Sequence, residues 1–341
     1  MLLGLLFLAI GIVLLTYAAD AFVDGAASIA QRLEISPVVV GALIIGFGTS
    51  LPEMLVSGLA AGQGDADLGV GNVVGSNVAN LSLVLGLAAL ITTISVDRHI
   101  VRRELPLCVG SVMLFALLVQ GGFARWEGIL LTVVMVATLS LLIQGSHDEG
   151  HDHDHTDDES FRRTMVETLL GLAGTVGGAY LLVEGALAVA DGLGLTGGFV
   201  GLTLVAVGTS LPEMVTAVVA ARKGETQLII GNLLGSNIFN SLAVGAVLGL
   251  VGPGPLEDQN LSGLATVIMI VVVLVAASFL LTAGRVVRWQ AVLLLGIYFA
   301  AMPFTVSTEV DCVEDPEHEE CVDGDVALAF GVSTPEGGGD G

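Results

Sequence analysis

Apolar runs of about 20 residues, separated by short polar breaks, recur along the whole chain, and each is long enough for one helical crossing of a bilayer. Ten spans are expected, over 2–18, 36–61, 69–93, 100–121, 127–144, 164–189, 196–221, 228–251, 261–283 and 287–306. The expected fold class is therefore an all-α, multi-pass membrane protein in contact with the lipid bilayer. The first run lacks the basic stretch that opens a signal peptide. Its surroundings also recur: Phe22-Val23-Asp24-Gly25-Ala26 has a counterpart in Leu182-Val183-Glu184-Gly185-Ala186. A stretch repeated inside the chain is expected to belong to the fold.

Polar residues inside these runs are repeated too. Gly48-Thr49-Ser50-Leu51-Pro52-Glu53-Met54 is followed by Gly71-Asn72-Val73-Val74-Gly75-Ser76-Asn77-Val78-Ala79-Asn80. The second copy, in the same register as the Phe22 and Leu182 stretches, is Gly208-Thr209-Ser210-Leu211-Pro212-Glu213-Met214, then Gly231-Asn232-Leu233-Leu234-Gly235-Ser236-Asn237-Ile238-Phe239-Asn240. Carboxylates, hydroxyls and amides at membrane depth are costly, so two copies mark a functional site. Five spans per copy is an odd number, so the second half enters the membrane inverted. Inverted repeats bring two copies of a motif together near the midplane.

The cations test the count. With the N-terminus outside, one side holds Arg32, Arg98, Arg102, Arg103, Arg162, Arg163, Arg222, Lys223, Arg285 and Arg288, and the other only Arg125. This is the positive-inside pattern, and it places both termini outside. The expected domains are a first five-helix repeat (1–144), an acidic cytoplasmic linker (145–163), a second, inverted repeat (164–307) and an acidic external tail (308–341).

At helical spacing, Thr49 and Ser50 share a face with Glu53, and Asn72, Ser76 and Asn80 share another. The same arithmetic joins Thr209, Ser210 and Glu213, and Asn232, Ser236 and Asn240. All of these are oxygen donors, without Cys or His, which suits hard cations such as calcium and sodium. Pro52 and Pro212 lack an N–H and clash with the carbonyls of Gly48 and Gly208, so discontinuous helices with freed carbonyls are expected. Without cations, two buried glutamates close together cannot both remain ionised, and protons then compete with metal. Two ion types sharing one pair of carboxylates is a physical basis for exchange. The structural alternative is a capping box, with Ser50 at the N-cap and Glu53 three residues on. An intramembrane acid hydrolase leaves the oxygen stripes unexplained, and a passive channel fits broken inverted repeats less well than a transporter does.

Composition agrees: 54% of residues are hydrophobic and mean hydropathy is +0.88. Of 34 acids, 18 lie in Asp148–Glu159 and Glu309–Asp340, solvated stretches that offer nothing to nucleic acid. Alternating His and Asp over 147–155 form a polar linker with at most weak transition-metal affinity. Cys312 and Cys321 are near enough in sequence to pair on an oxidising side, with two free thiols as the alternative.

The double G-T-S-L-P-E and G-N-x-x-G-S-N-x-x-N pattern resembles the prokaryotic sodium/calcium exchangers of the calcium/cation antiporter superfamily. The resemblance covers all ten expected spans. It implies a secondary antiporter, not an enzyme, that needs no cofactor and exports calcium electrogenically against sodium by alternating access. It implies that Glu53 and Glu213 bind both ions, that Thr49, Ser50, Thr209 and Ser210 supply oxygens, and that Ser76 and Ser236 bind sodium. Asn80 and Asn240 would face the centre, with the carbonyls of Gly46 and Ala206 as further ligands. Some relatives, including potassium-dependent ones, carry Asp where this chain has Asn240, and the proton-coupled branch lacks the G-T-S-L-P-E pattern. Potassium-dependent or proton-coupled exchange is thus the alternative.

Overall fold

The computed structural model of the protein describes residues 2–96, 98–144, 158–192 and 208–305. These are mostly helical. In order they form α1 (Leu2–Arg32), α2 (Pro37–Thr49), α3 (Leu51–Gln63), α4 (Ala66–Ile91), β1 (Ile94–Ser95), α5 (Arg98–Leu118) and α6 (Arg125–Gln144). There follow α7 (Asp158–Gly192), α8 (Leu211–Lys223), α9 (Thr226–Val251), α10 (Leu261–Thr282), β2 (Arg285–Val286) and α11 (Arg288–Thr305). Among the described residues seven helices are long and apolar enough to cross a membrane, and the bent pair α2–α3 makes an eighth.

Polar and apolar surfaces are arranged as lipid demands. Large apolar side chains such as Leu2, Tyr17, Trp126, Val133, Leu170 and Phe299 are exposed on the outside of the bundle. Among the spanning helices described, α4 and α9 are the most enclosed, because their asparagines and serines would be stranded in hydrocarbon.

Two expected boundaries shift. The first helix continues past the expected end at 18 to Arg32. Asp20 and Asp24 look like a stop in sequence, but Lys223 Nζ meets their carboxylates at 2.7 and 2.6 Å. Phe22, Val23, Ala26 and Ile29 meanwhile bury the opposite face. The sixth helix of the ten expected starts at Asp158, inside the stretch assigned to the linker. The His/Asp run, Cys312, Cys321 and the acidic tail lie outside the described residues.

α1 and α7 pack antiparallel along their length through glycines. A Cβ on Gly4 would sit 2.9 Å from the carbonyl of Gly185, one on Gly11 2.9 Å from that of Gly178, and one on Gly171 2.7 Å from Phe22 N. Small residues let the backbones touch, which is how helices associate when lipid offers no hydrophobic gain. α2 runs beside α9 at similar range, with a Gly231 Cβ position 2.1 Å from Val38 O and a Gly235 position 2.5 Å from Ala42 Cα. At one end of the bundle β1 pairs antiparallel with β2, Ile94 opposite Val286, tying the chain before α5 to the chain before α11.

Candidate functional site

The expected break is present in both motif copies. Ser50 leaves helical geometry at φ −84°, ψ 4°, and Ser210 does so at φ −88°, ψ 3°. α2 and α3 meet there at 44°. The cause is local: Pro52 and Pro212 at the starts of α3 and α8 cannot donate to the preceding turn. Both helices then end alike. Gly64 and Gly224 take left-handed φ of 91° and 79°, and their N–H groups donate to the carbonyls of Ala60 and Ala61, or of Ala220 and Ala221.

Neither serine caps its helix through its side chain. Ser50 Oγ instead lies 3.4 Å from Glu213 Oε1, across the repeat boundary. The capping-box alternative therefore fails, and the motif's hydroxyl is directed at the other motif's carboxylate.

α4 and α9 supply the facing surface. Each widens into a π-helical segment, Asn80–Val84 in α4 and Phe239–Val244 in α9, beside the last asparagine of its motif. Such segments interrupt helical regularity where side chains must be re-aimed, often at functional sites. A third, Gly41–Gly46, lies in α2 just before the break.

The side chains converge across the two copies. Thr49 Oγ1 donates to the Ile45 carbonyl at 2.9 Å and lies 3.4 Å from Asn232 Oδ1, and Thr209 Oγ1 lies 3.4 Å from Asn72 Oδ1. Ser236 Oγ donates to the Gly46 carbonyl at 3.3 Å, so that expected backbone ligand is at the site. Asn80 Nδ2 donates to Asn237 Oδ1 at 3.1 Å. Thr49, Ser50, Glu53, Ser76, Asn80, Thr209, Ser210, Glu213, Asn232, Ser236 and Asn240 are each at most 4% exposed, while Asn72 is half-buried. Ala206 lies outside the described residues.

Four further residues take part that are not among the expected ligands. Asn77 and Asn237 stand in the repeated motif but had no assigned role. Asn77 Nδ2 donates to Ser241 Oγ at 3.0 Å, and Asn237 receives Asn80. Their matching places in the two copies were a usable signal. Ser57 and Thr216 were missed for a different reason. Each receives an asparagine from behind, at 2.9 Å from Asn72 and 3.3 Å from Asn232. The register that pairs Glu53 with Glu213 sets Ser57 opposite Ala217, so the two hydroxyls do not align as a repeat.

Several buried oxygens here have no protein donor. Both carboxylate oxygens of Glu53, Oε2 of Glu213, Oγ of Ser210, Oδ1 of Asn80 and Oδ1 of Asn240 lack a hydrogen-bond partner. Leaving a buried carboxylate uncompensated costs several kcal/mol per ion, about 3–5 kcal/mol in measured cases. Acceptors left open together, with two carboxylates among them, form a cradle for hard cations.

A membrane bundle holding such a cradle, drawn from two copies of one motif, defines a cation-handling integral membrane protein. The chain belongs to the sodium/calcium exchanger family: the family model described as "Sodium/calcium exchanger protein" matches residues 3–144 and again 165–306. As a member it is a multi-pass ion transporter of the antiporter type, not an enzyme. It is 30% identical over 342 residues to the sodium/calcium exchanger MaX1 of Methanosarcina acetivorans, covering 86% of this chain and 96% of that one. It is 33% identical over 324 residues to the inner membrane protein YrbG of Escherichia coli, covering 90% and 98%. A solved structure of the sodium-calcium exchanger NCX_Mj, soaked with 10 mM Na+ and zero Ca2+, superposes with a TM-score of 0.82 at 31% identity, covering 89% of this chain and 98% of that one.

Proposed function

We propose that this protein exports calcium in exchange for sodium, by alternating access to one site shared by the two motif copies. The observation that carries the reading is the pair Glu53 and Glu213. Both are buried, Ser50 of the first copy reaches Glu213 Oε1 of the second at 3.4 Å, and both glutamates keep open acceptor oxygens.

The ligands are Glu53 and Glu213 for both ions, the hydroxyls of Thr49, Ser50, Thr209 and Ser210, Ser76 and Ser236 for sodium, the amides of Asn80 and Asn240, and the carbonyls of Gly46 and Ala206. One calcium ion neutralises the two carboxylates, and so do sodium ions together. Full occupancy by both kinds would leave excess positive charge in a low dielectric, so each displaces the other. The architecture is ten spans in two inverted five-helix repeats with both termini outside. The two separate family matches, the equivalent breaks at Ser50 and Ser210 and the one-sided cations support it. α1 and α7, joined through glycines and lined with lipid-facing apolar residues, slide as a pair over the core made by α2, α3, α4, α8 and α9.

The test is radiolabelled calcium uptake into sodium-loaded proteoliposomes. Uptake that requires an outward sodium gradient and ignores potassium supports the reading. Uptake that follows a proton gradient, or that requires potassium, moves the protein to the alternative branches. Uptake with no gradient requirement contradicts antiport.

A further inference from the structure

Lys223 ends α8 and ties it to α1. Its Nζ donates to Asp20 Oδ1 at 2.7 Å, to Asp24 Oδ1 at 2.6 Å and to the Asp20 carbonyl at 3.1 Å, which accounts for all three ammonium protons. Asp20 and Asp24 are four residues apart on one helix, so both stand on the face of α1 that meets Lys223. These contacts cross from the core, to which α8 belongs, to the pair α1 and α7 that slides over it.

The constant register between the two halves identifies the matching place in the first half. Lys223 corresponds to Gln63, Asp20 to Tyr180 and Asp24 to Glu184. The backbone matches as well: α3 ends at Gln63 and α8 at Lys223, each just before a left-handed glycine, Gly64 or Gly224. α7 keeps a carboxylate there, and Glu184 Oε1 is buried without a hydrogen-bond partner. What the first half lacks is the cation, since α3 carries no lysine or arginine. The packing differs in the same sense. A cavity of about 740 Å³ separates α3 from α7, with Leu55 and Leu59 on one wall and Tyr180 and Val183 on the other, and it reaches Thr209 of the cation site.

We propose that Lys223 is a latch. It holds the bundle closed at its own end, which the positive-inside pattern makes cytoplasmic, and so favours the state open from the other face. A shift of α1 by one helical turn, about 5.4 Å, takes both carboxylates out of reach of the ammonium. The two access states are related by the repeat, and a contact present at one end only makes their populations unequal. Lys223 is 24% exposed and the aspartates 58% and 63%, so the pairs are partly screened and the bias is up to about tenfold. The latch rests on the reading of α1 and α7 as a pair moving around the Glu53 and Glu213 site.

The test measures the half-saturating calcium concentration of sodium-driven exchange at each face, in right-side-out and inside-out membrane vesicles, with melting temperature as the folding control. A binding-competent state that is only fractionally populated raises that concentration at its own face. Lys223→Met is expected to lower it at the cytoplasmic face, relative to the outer face, by up to about tenfold, and Lys223→Arg to stay near the wild-type ratio. Gln63→Lys supplies the missing cation on α3. It is expected to shift the ratio in the same direction as Lys223→Met, by gaining a contact rather than losing one. A wild-type ratio in Lys223→Met, an equal change at both faces, or Lys223→Arg behaving like Lys223→Met would overturn the latch, and so would Gln63→Lys shifting the ratio the other way. Absence of sodium-driven exchange in wild type would instead refute the transport reading beneath it.

Discussion

Gly185 on α7 offers a test in which two opposing magnitudes compete. A Cβ there would lie 2.7 Å from Leu8 N, 2.8 Å from the Gly4 carbonyl and 2.9 Å from Leu8 Cγ. Two of these are backbone atoms, which cannot rotate aside. To restore contact at 3.4 Å or more, α1 and α7 must part by at least about half an ångström along this stretch. Such overpacking costs about 1–3 kcal/mol. Against it, alanine is a better helix former than glycine by about 1 kcal/mol. Gly185→Ala is therefore expected to be destabilising by up to about 2 kcal/mol net. Gly110 on α5 is the control: nothing lies within 4 Å of its Cβ position, so Gly110→Ala should gain up to about 1 kcal/mol. The assay is thermal unfolding of both variants in detergent, followed by loss of the monodisperse chromatographic peak. Opposite signs are expected. If Gly185→Ala is as stable as Gly110→Ala, α1 and α7 do not meet backbone to backbone, and they lose their glycine-based contact as a moving pair.

Other predictions follow from single contacts. Lys223→Met removes both ion pairs to α1; with side chains 24% to 63% exposed, each is worth about 1 kcal/mol or less, and high salt should shrink the difference. Burial at Lys223 opposes its charge, but Asp20 and Asp24 outweigh it and hold the ammonium above the ordinary lysine range. The wild-type advantage should thus be full at neutral pH and fade only as pH rises through that elevated value, in melts across an alkaline series. Asn240→Asp adds a third carboxylate to a site with two. Calcium uptake should become more sensitive to mild acid than in wild type, and an unchanged pH profile would count against Asn240 facing the glutamates.

The repeat was legible because the same polar letters return in the second half in one constant register, and polar letters are rare enough in apolar runs to be noticed. So were the breaks at Ser50 and Ser210, because a proline two residues on leaves the backbone few alternatives. The full length of α1 was hidden, since Asp20 and Asp24 read as a boundary until Lys223, in the other half of the chain, meets them. Ser57 and Thr216 were hidden because each faces the back of its own asparagine from a different helical phase. Only the packing of α3 on α4 and of α8 on α9 shows them. The π-helical segments beside Asn80 and Asn240 have no marker in hydropathy, because they change the direction of side chains without changing their type.

The most direct measurement compares sodium-driven calcium uptake by wild type and Glu213→Gln in matched proteoliposomes. The substitution keeps the volume and removes one of the two charges that balance a calcium ion. Leaving that buried charge uncompensated costs about 3–5 kcal/mol, or roughly two to nearly four orders of magnitude in affinity. The account predicts uptake near background in the variant at calcium concentrations that saturate wild type, with the folded protein intact. Uptake by Glu213→Gln within a few-fold of wild type would contradict the claim that the paired glutamates hold the exchanged ions.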